Sequence, residues 1–256
     1  MGETANTHQD TIRKAIKADR TNRTRSILHF FWVGMAMYLI IMVLLGFGST
    51  YGRQLILGHE INGIGVVKTD WVIHLHATVF IGWMVFFLVQ TILAASGQTQ
   101  LHMALGKYGG SILGVAVIGT GILITYMQMQ GFVLEGIFSW SEWQGILGAT
   151  LTAWGSLLVL SLLLGLGLYY RSQPESHKRF MTLTTVALAT AATQRMDYLL
   201  GFQSIYILES IGVGIMVLPL FVYDFYIEGH IHWATIIGTG ILYLFIGIRA
   251  TRILFG

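Results

Sequence analysis

Nine histidines and no cysteine define the chemistry open to this 256-residue chain. Without thiols there is no iron–sulfur cluster, no covalently attached c-type haem and no thiolate nucleophile. Imidazole ligates iron, copper and zinc alike, so the spacing of the histidines carries the argument. His74 and His76 are separated by Leu75 within an apolar run. Residues two apart on a helix stand roughly 200° apart, so these two rings face different neighbours, His76 on the stripe of Phe80 and Trp83 and His74 beside Ala77 and Thr78. A second group comprises His29, His102, His177, His230 and His232, each close to the end of an apolar segment. His102 precedes one run in Leu-His-Met-Ala-Leu-Gly-Lys, His177 opens another in Ser-His-Lys-Arg-Phe-Met, and His230-Ile231-His232 starts the last. Extended backbone at a helix start lets a His-x-His pair converge on one metal, with Asp224 and Glu228 as oxygen ligands or as partners that orient a ring.

The third group is Gln194-Arg195-Met196-Asp197-Tyr198. Gln194, Asp197 and Tyr198 share a helix face, Arg195 points nearly opposite to Asp197, and Glu209 is in reach of either. Ionisable groups inside a span are costly, which makes Arg195 and Asp197 the candidate catalytic pair. The planar fork of Arg195 suits a carboxylate or a haem propionate. Each group also has a plainer reading, as interfacial histidines or as a polar network that fixes helix register.

The elements that must position these residues are membrane helices. Hydrophobic residues make up 54% of the chain and charged residues 11%, against about a quarter charged in a soluble domain; the mean hydropathy is +0.67. A soluble protein, a disordered chain and a disulfide scaffold are excluded. Seven stretches reach the roughly 20 apolar residues a span requires, predicted as Ser26–Ser49, Trp71–Ala95, Gly109–Phe132, Trp143–Tyr170, Phe180–Leu200, Ile205–Phe225 and His232–Leu254. They lack the alternation of a membrane barrel. The expectation is an all-α polytopic bundle, residues 26–256, behind a basic cytoplasmic tail, residues 1–25.

The tail holds Arg13, Lys14, Lys17, Arg20, Arg23 and Arg25; with Lys107, Arg171, Lys178 and Arg179 that gives ten basic residues on one side, against Arg53, Lys68, Arg249 and Arg252 on the other. The positive-inside rule then predicts N-in and C-out. The pI near 9.2 reflects this tail and gives no argument for nucleic-acid binding. The segment 50–70 and the tryptophan-rich turn at 135–143 are predicted outer connections. No lysine lies deep in a span, which excludes a retinal Schiff base, and there is no P-loop or His-Glu-x-x-His motif.

The strings His-Leu-His-Ala-Thr-Val-Phe-Ile-Gly-Trp, Leu-His-Met-Ala-Leu-Gly-Lys, His-Lys-Arg-Phe-Met and Gly-His-Ile-His-Trp-Ala-Thr resemble those of a bacterial group of multi-pass membrane proteins of unknown function, over about residues 70–255. That resemblance implies a bacterial inner-membrane location and no particular reaction. A looser likeness, in helix count and histidines, is to cytochrome b-type electron carriers, which implies haem held by histidines from two helices: His102 with His177, or His76 with a partner. Seven helices also resemble the adiponectin-receptor and alkaline-ceramidase superfamily, but His-x-His here replaces its His-x-x-x-His.

The leading expectation is a redox protein passing electrons to or from a quinone or other lipid-soluble substrate. Haem b would be held by His76, His102, His177 or His232 with Arg195 as clamp, or a non-haem iron, copper or zinc ion by His74, His76, His102, His177, His230 and His232. The alternatives are a zinc hydrolase of a lipid amide or ester, and a proton pathway or accessory subunit of a larger membrane complex.

Overall fold

The computed structural model describes residues 30–48, 71–134, 140–200 and 205–255; within them, the side chains of residues 128, 131–134, 140–150, 197–200, 205–208 and 249–255 lie outside the description. The predicted basic tail, the connection 50–70 and most of the turn near 135–143 therefore lie outside the described residues, as does His29.

All described residues are helix or the turns between helices. There are seven long helical units: α1 (Phe30–Phe47), α2 (Trp71–Ala95), α3 (Thr99–Leu105) running through a wide π turn at Gly106–Gly110 into α4 (Ser111–Leu134), α5 (Trp140–Tyr169), α6 (Pro174–Leu200), α7 (Ile205–Glu228) and α8 (Trp233–Phe255). Five stretches among the described residues are long and apolar enough to cross a membrane: Phe30–Phe47, Trp71–Ala95, Thr99–Met127, Leu151–Ser172 and Glu209–Glu228.

The largest departure from the sequence reading is at Gly-Lys-Tyr-Gly-Gly, within which the third span is predicted to begin, at Gly109. Instead the helix continues from Thr99 to Leu134, widening into the π turn at those residues. Unpaired backbone is costly in lipid, and a π turn keeps its groups bonded through a glycine-rich stretch. His102 therefore sits inside the helix. The fifth predicted span likewise lies in a helix, α6, that starts at Pro174, before the predicted Phe180; proline is suited to the first helical turn because its missing N–H would be unpaired there anyway.

The turn after α2 is a Schellman motif: Gln98 N–H bonds Leu93 O at 2.9 Å, Gly97 N–H bonds Ala94 O at 3.2 Å, and Gly97 adopts φ 75°, a conformation open mainly to glycine.

Helix α6 is the axis of the bundle, packed by α5, α7, α8 and more lightly α2, while α1 crosses it at Gly46, where an added Cβ would run into the Ala192 backbone. It is also the least apolar helix, with Thr182, Thr184, Thr185 and Thr193 all buried. Thr182 and Thr184 return their hydroxyls to carbonyls one turn back, at 2.8 Å each, and Thr185 additionally accepts Trp83 Nε1–H from α2 at 3.2 Å. Surrounding helices pack around this helix, so its threonines are enclosed by protein and bond back to their own helix.

In α7, Pro219 lacks the N–H that would bond Ile215 O four residues back. Tyr38 of α1 donates its hydroxyl to that carbonyl at 3.0 Å, so the proline that weakens α7 creates its docking point for α1.

Candidate functional site

The connectivity places the ends of α2, α5 and α7 and the starts of α1, α3, α6 and α8 at one end of the bundle, named the inner end only after the orientation predicted from the sequence. The predicted inner histidines gather there in two distinct ways.

His102 of α3 and His177 of α6 face each other, with ring centroids 6.4 Å apart and planes at 81°. His177 Nδ1–H donates to Gly167 O at 2.7 Å, at the close approach of α5 and α6. His102 Nδ1 lies 3.2 Å from Gln90 O on α2. A metal-ligating histidine characteristically donates its other ring nitrogen to a carbonyl or carboxylate, and these bonds leave Nε2 of each ring for a ligand. A metal held at about 2 Å by one nitrogen of each of two rings sets the ring centres about 6 Å apart. The observed separation fits.

His230 and His232 are differently employed. His232 Nδ1 accepts Ala234 N–H at 3.1 Å, the N-cap role at the start of α8. His230 is exposed, with Nδ1 on Glu228 O at 2.9 Å and its ring 4.0 Å from the Glu228 carboxylate. The expected metal cluster of inner histidines with Asp224 is not assembled. Among the described residues no three His, Asp or Glu side chains come together to share a metal, and Asp224 is fully engaged elsewhere.

That engagement centres on Arg179, which the sequence reading counted only as an inner-loop charge. Its side chain is 0% exposed, as is that of Asp224. Arg179 Nε and Nη2 both donate to Asp224 Oδ1, at 2.9 and 2.6 Å, and Nη2 also reaches Glu228. Nη1 donates to Glu175 O and Oε2 at 2.7 and 2.8 Å. Asp224 Oδ2 accepts Thr235 Oγ1–H at 2.6 Å and His232 N–H at 3.0 Å. Trp32 and Tyr223 lie 5.8 Å from the guanidinium, with Lys178 Nζ 4.9 Å above Trp32. One arginine thus ties α1, α6, α7 and the start of α8. At the exposed start of α6, burial acts to raise the Glu175 carboxyl, but hydrogen bonds and charge from Lys178 and Arg179 prevail and hold it below the ordinary carboxylate range.

The opposite end holds the remaining candidate residues. His76 Nδ1 lies 3.1 Å from Thr120 Oγ1. Because Thr120 spends its own proton on Ala116 O at 2.8 Å, it accepts from Nδ1–H, leaving His76 Nε2 as an acceptor. His74 faces elsewhere, half-buried, with its carbonyl taken by Thr78 at 2.8 Å. Gln194 Nε2 donates to the buried Glu209 at 3.0 Å. Arg195 lies over Phe47 at 4.3 Å, donates to Ala191 O at 2.7 Å and is close enough to His76 to act on it electrostatically. The Asp197 and Tyr198 side chains lie outside the described residues.

His177 and Arg195 are eighteen positions apart on one helix, roughly 27 Å. Arg195 therefore cannot clamp a group held by His102 and His177, and His76 belongs with Arg195.

No protein-family model, curated protein or solved structure matches this chain. The functional argument therefore rests on the geometry of the two ends.

Proposed function

We propose that this is a membrane redox protein that binds haem b between His102 and His177 and exchanges electrons with a quinone or other lipid-soluble carrier. The observation that carries the reading is the facing ring pair, 6.4 Å apart, each ring directed by a main-chain carbonyl. The donor set favours haem over a bare ion. Two imidazoles and no third His, Asp or Glu among the described residues fall short of the four ligands zinc takes in a structural site or the three in a catalytic one. Haem would need no more from the protein than the two histidines that His102 and His177 offer. When bound, it supplies a one-electron couple. The chain's part is to hold both rings: Gly167 O fixes the orientation of His177, and the helix continued through the π turn fixes His102.

The same reading takes the bundle as seven spans, N-in and C-out, in a bacterial inner membrane. The ten-to-four distribution of basic residues supports the orientation. The polar α6 is read as a span because the other helices enclose it.

The test is elemental analysis and an absorption spectrum of detergent-purified protein before and after dithionite. Stoichiometric iron with a Soret band that shifts on reduction is expected, and is lost in both His102→Ala and His177→Ala but retained in His232→Ala. Zinc without a Soret band would move the assignment to the hydrolase, and metal-free protein with bound partners to an accessory subunit.

A further inference from the structure

The seam between α1 and α7 is open along its outward side. Two adjoining cavities of about 350 and 190 Å³ lie on it, with Phe31 and Pro219 as shared walls. The smaller reaches Gly34 and Tyr38, and the larger reaches Tyr223 and Tyr226. Together they make a furrow, which exists because Gly34 withholds bulk from α1: an added Cβ there would meet nothing within 4 Å. Rings wall its inner part, where Phe31 stacks on Tyr223 at 4.2 Å and Trp32 stands edge-on to both. The Tyr38 hydroxyl is spent on Ile215 O, so the outer part offers apolar surface.

Pro219 lies midway along the apolar stretch Glu209–Glu228, and Ile227, which also lines the furrow, lies near its inner end. The eight positions between them rise roughly 12 Å. That is the course of an acyl chain hanging from a headgroup at the membrane surface. The inner mouth is charged. Lys178 Nζ lies 4.9 Å from the Trp32 ring and 5.8 Å from that of Tyr223, with its side chain 27% exposed. Glu175 takes one of its donors at 2.7 Å, and an ammonium has three. Arg179 is wholly buried among its carboxylates and has no surface to offer. The chain also enters α1 at this end with six Lys and Arg against three Asp and Glu in residues 1–25, and a polybasic stretch beside a span draws anionic lipid.

We propose that the α1–α7 furrow holds one acyl chain of an anionic phospholipid whose phosphate is bound by Lys178. The apolar furrow takes the tail, and the lysine at its mouth selects the charge. Lipid at this seam does not depend on haem at His102 and His177.

The experiment is native mass spectrometry of the delipidated full chain in detergent, offered phosphatidylglycerol or phosphatidylcholine with the same acyl chains. The wild type is expected to retain one phosphatidylglycerol several-fold more strongly than phosphatidylcholine. Gly34→Leu adds its side chain into open space and fills the furrow, so it loses the retained lipid several-fold. Lys178→Gln keeps the contact with the tail and binds the two lipids alike. Unchanged retention in Gly34→Leu, or equal retention of both lipids by the wild type, would overturn the proposal, and these two results decide it if Lys178→Gln does not fold. A quinone that co-purifies with the wild type, is absent from Gly34→Leu and resists phosphatidylglycerol would overturn it in favour of the carrier, and a dimer that Gly34→Leu splits would overturn it in favour of a second copy.

Discussion

The two ends of α6 each carry an arginine, and they are built differently. Arg179 at the inner end is wholly buried and held by Asp224, Glu175 and Glu228 from two helices, whereas Arg195 at the outer end rests on the face of Phe47 and bonds its own helix at Ala191. Beside Arg179 stand two partly buried rings, each with Nδ1 on a main-chain carbonyl; near Arg195, His76 bonds Thr120 and Gln194 bonds Glu209. A buried charge held by several carboxylates is a joint. Two rings that face each other are where chemistry is to be sought.

The most severe way to break that contrast is Arg179→Met. It strands Asp224 without its cation, and removing one partner of a buried pair costs about 3–5 kcal/mol, so a large fall in the thermal midpoint in detergent is expected. An unchanged midpoint would show that Arg179 is not the joint of this end. Arg179→Met combined with Asp224→Leu recovers much of the loss, since neither charge is then left unpaired; a fully additive double variant would contradict the network.

Tyr38→Phe tests the α1–α7 joint more gently. Losing the partner of Ile215 O costs about 1–3 kcal/mol, and Pro219→Ala, which gives α7 back an N–H for that carbonyl, should cancel most of it in a double-mutant cycle. His232→Ala is expected to cost about 1 kcal/mol as a lost N-cap, while His232→Asn costs less and neither changes the haem spectrum. Loss of the Soret band in His232→Asn would return His232 to the ligand set.

The smallest effect is the pH dependence at Glu175. Its folded carboxyl lies below the ordinary range, so its contribution is complete above the unfolded value of about 4.3 and is lost as pH falls through the lowered folded value. Glu175→Gln should therefore flatten the acid side of the stability profile and leave neutral pH nearly unchanged. Detergent melts across the acid range would show an unchanged slope if the assignment is wrong.

Much of this arrangement could be read from the residues, and the failures have physical causes. The apolar run Trp71–Ala95 coincides with α2, because lipid imposes length and composition on a span. The pairing of His102 with His177 was among the expected haem arrangements, since both histidines begin helices on the same predicted side. Arg179 was missed because Lys178-Arg179 at a helix start reads as a solvated pair, and its partner Asp224 is 45 positions away. The N-cap role of His232 was missed because a His-x-His spacing describes metal ligation and capping equally well. The start of the third span was placed at Gly109, ten residues after the helix begins at Thr99, because the apolar run begins there and a π turn leaves no mark in the apolarity of a sequence.

The threonine-rich make-up of α6 bears on how the chain is made. A translocating machinery that sorts segments by apolarity releases Leu- and Ile-rich helices to lipid readily, but Arg179, Arg195 and buried threonines make α6 a poor candidate to leave alone. Its neighbours in sequence, α5 and α7, both pack against it. The central helix of the finished bundle is therefore expected to enter the bilayer with α5 already waiting and α7 following closely. A ribosome stalled just after α6 should yield a chain whose sixth helix is still accessible to water.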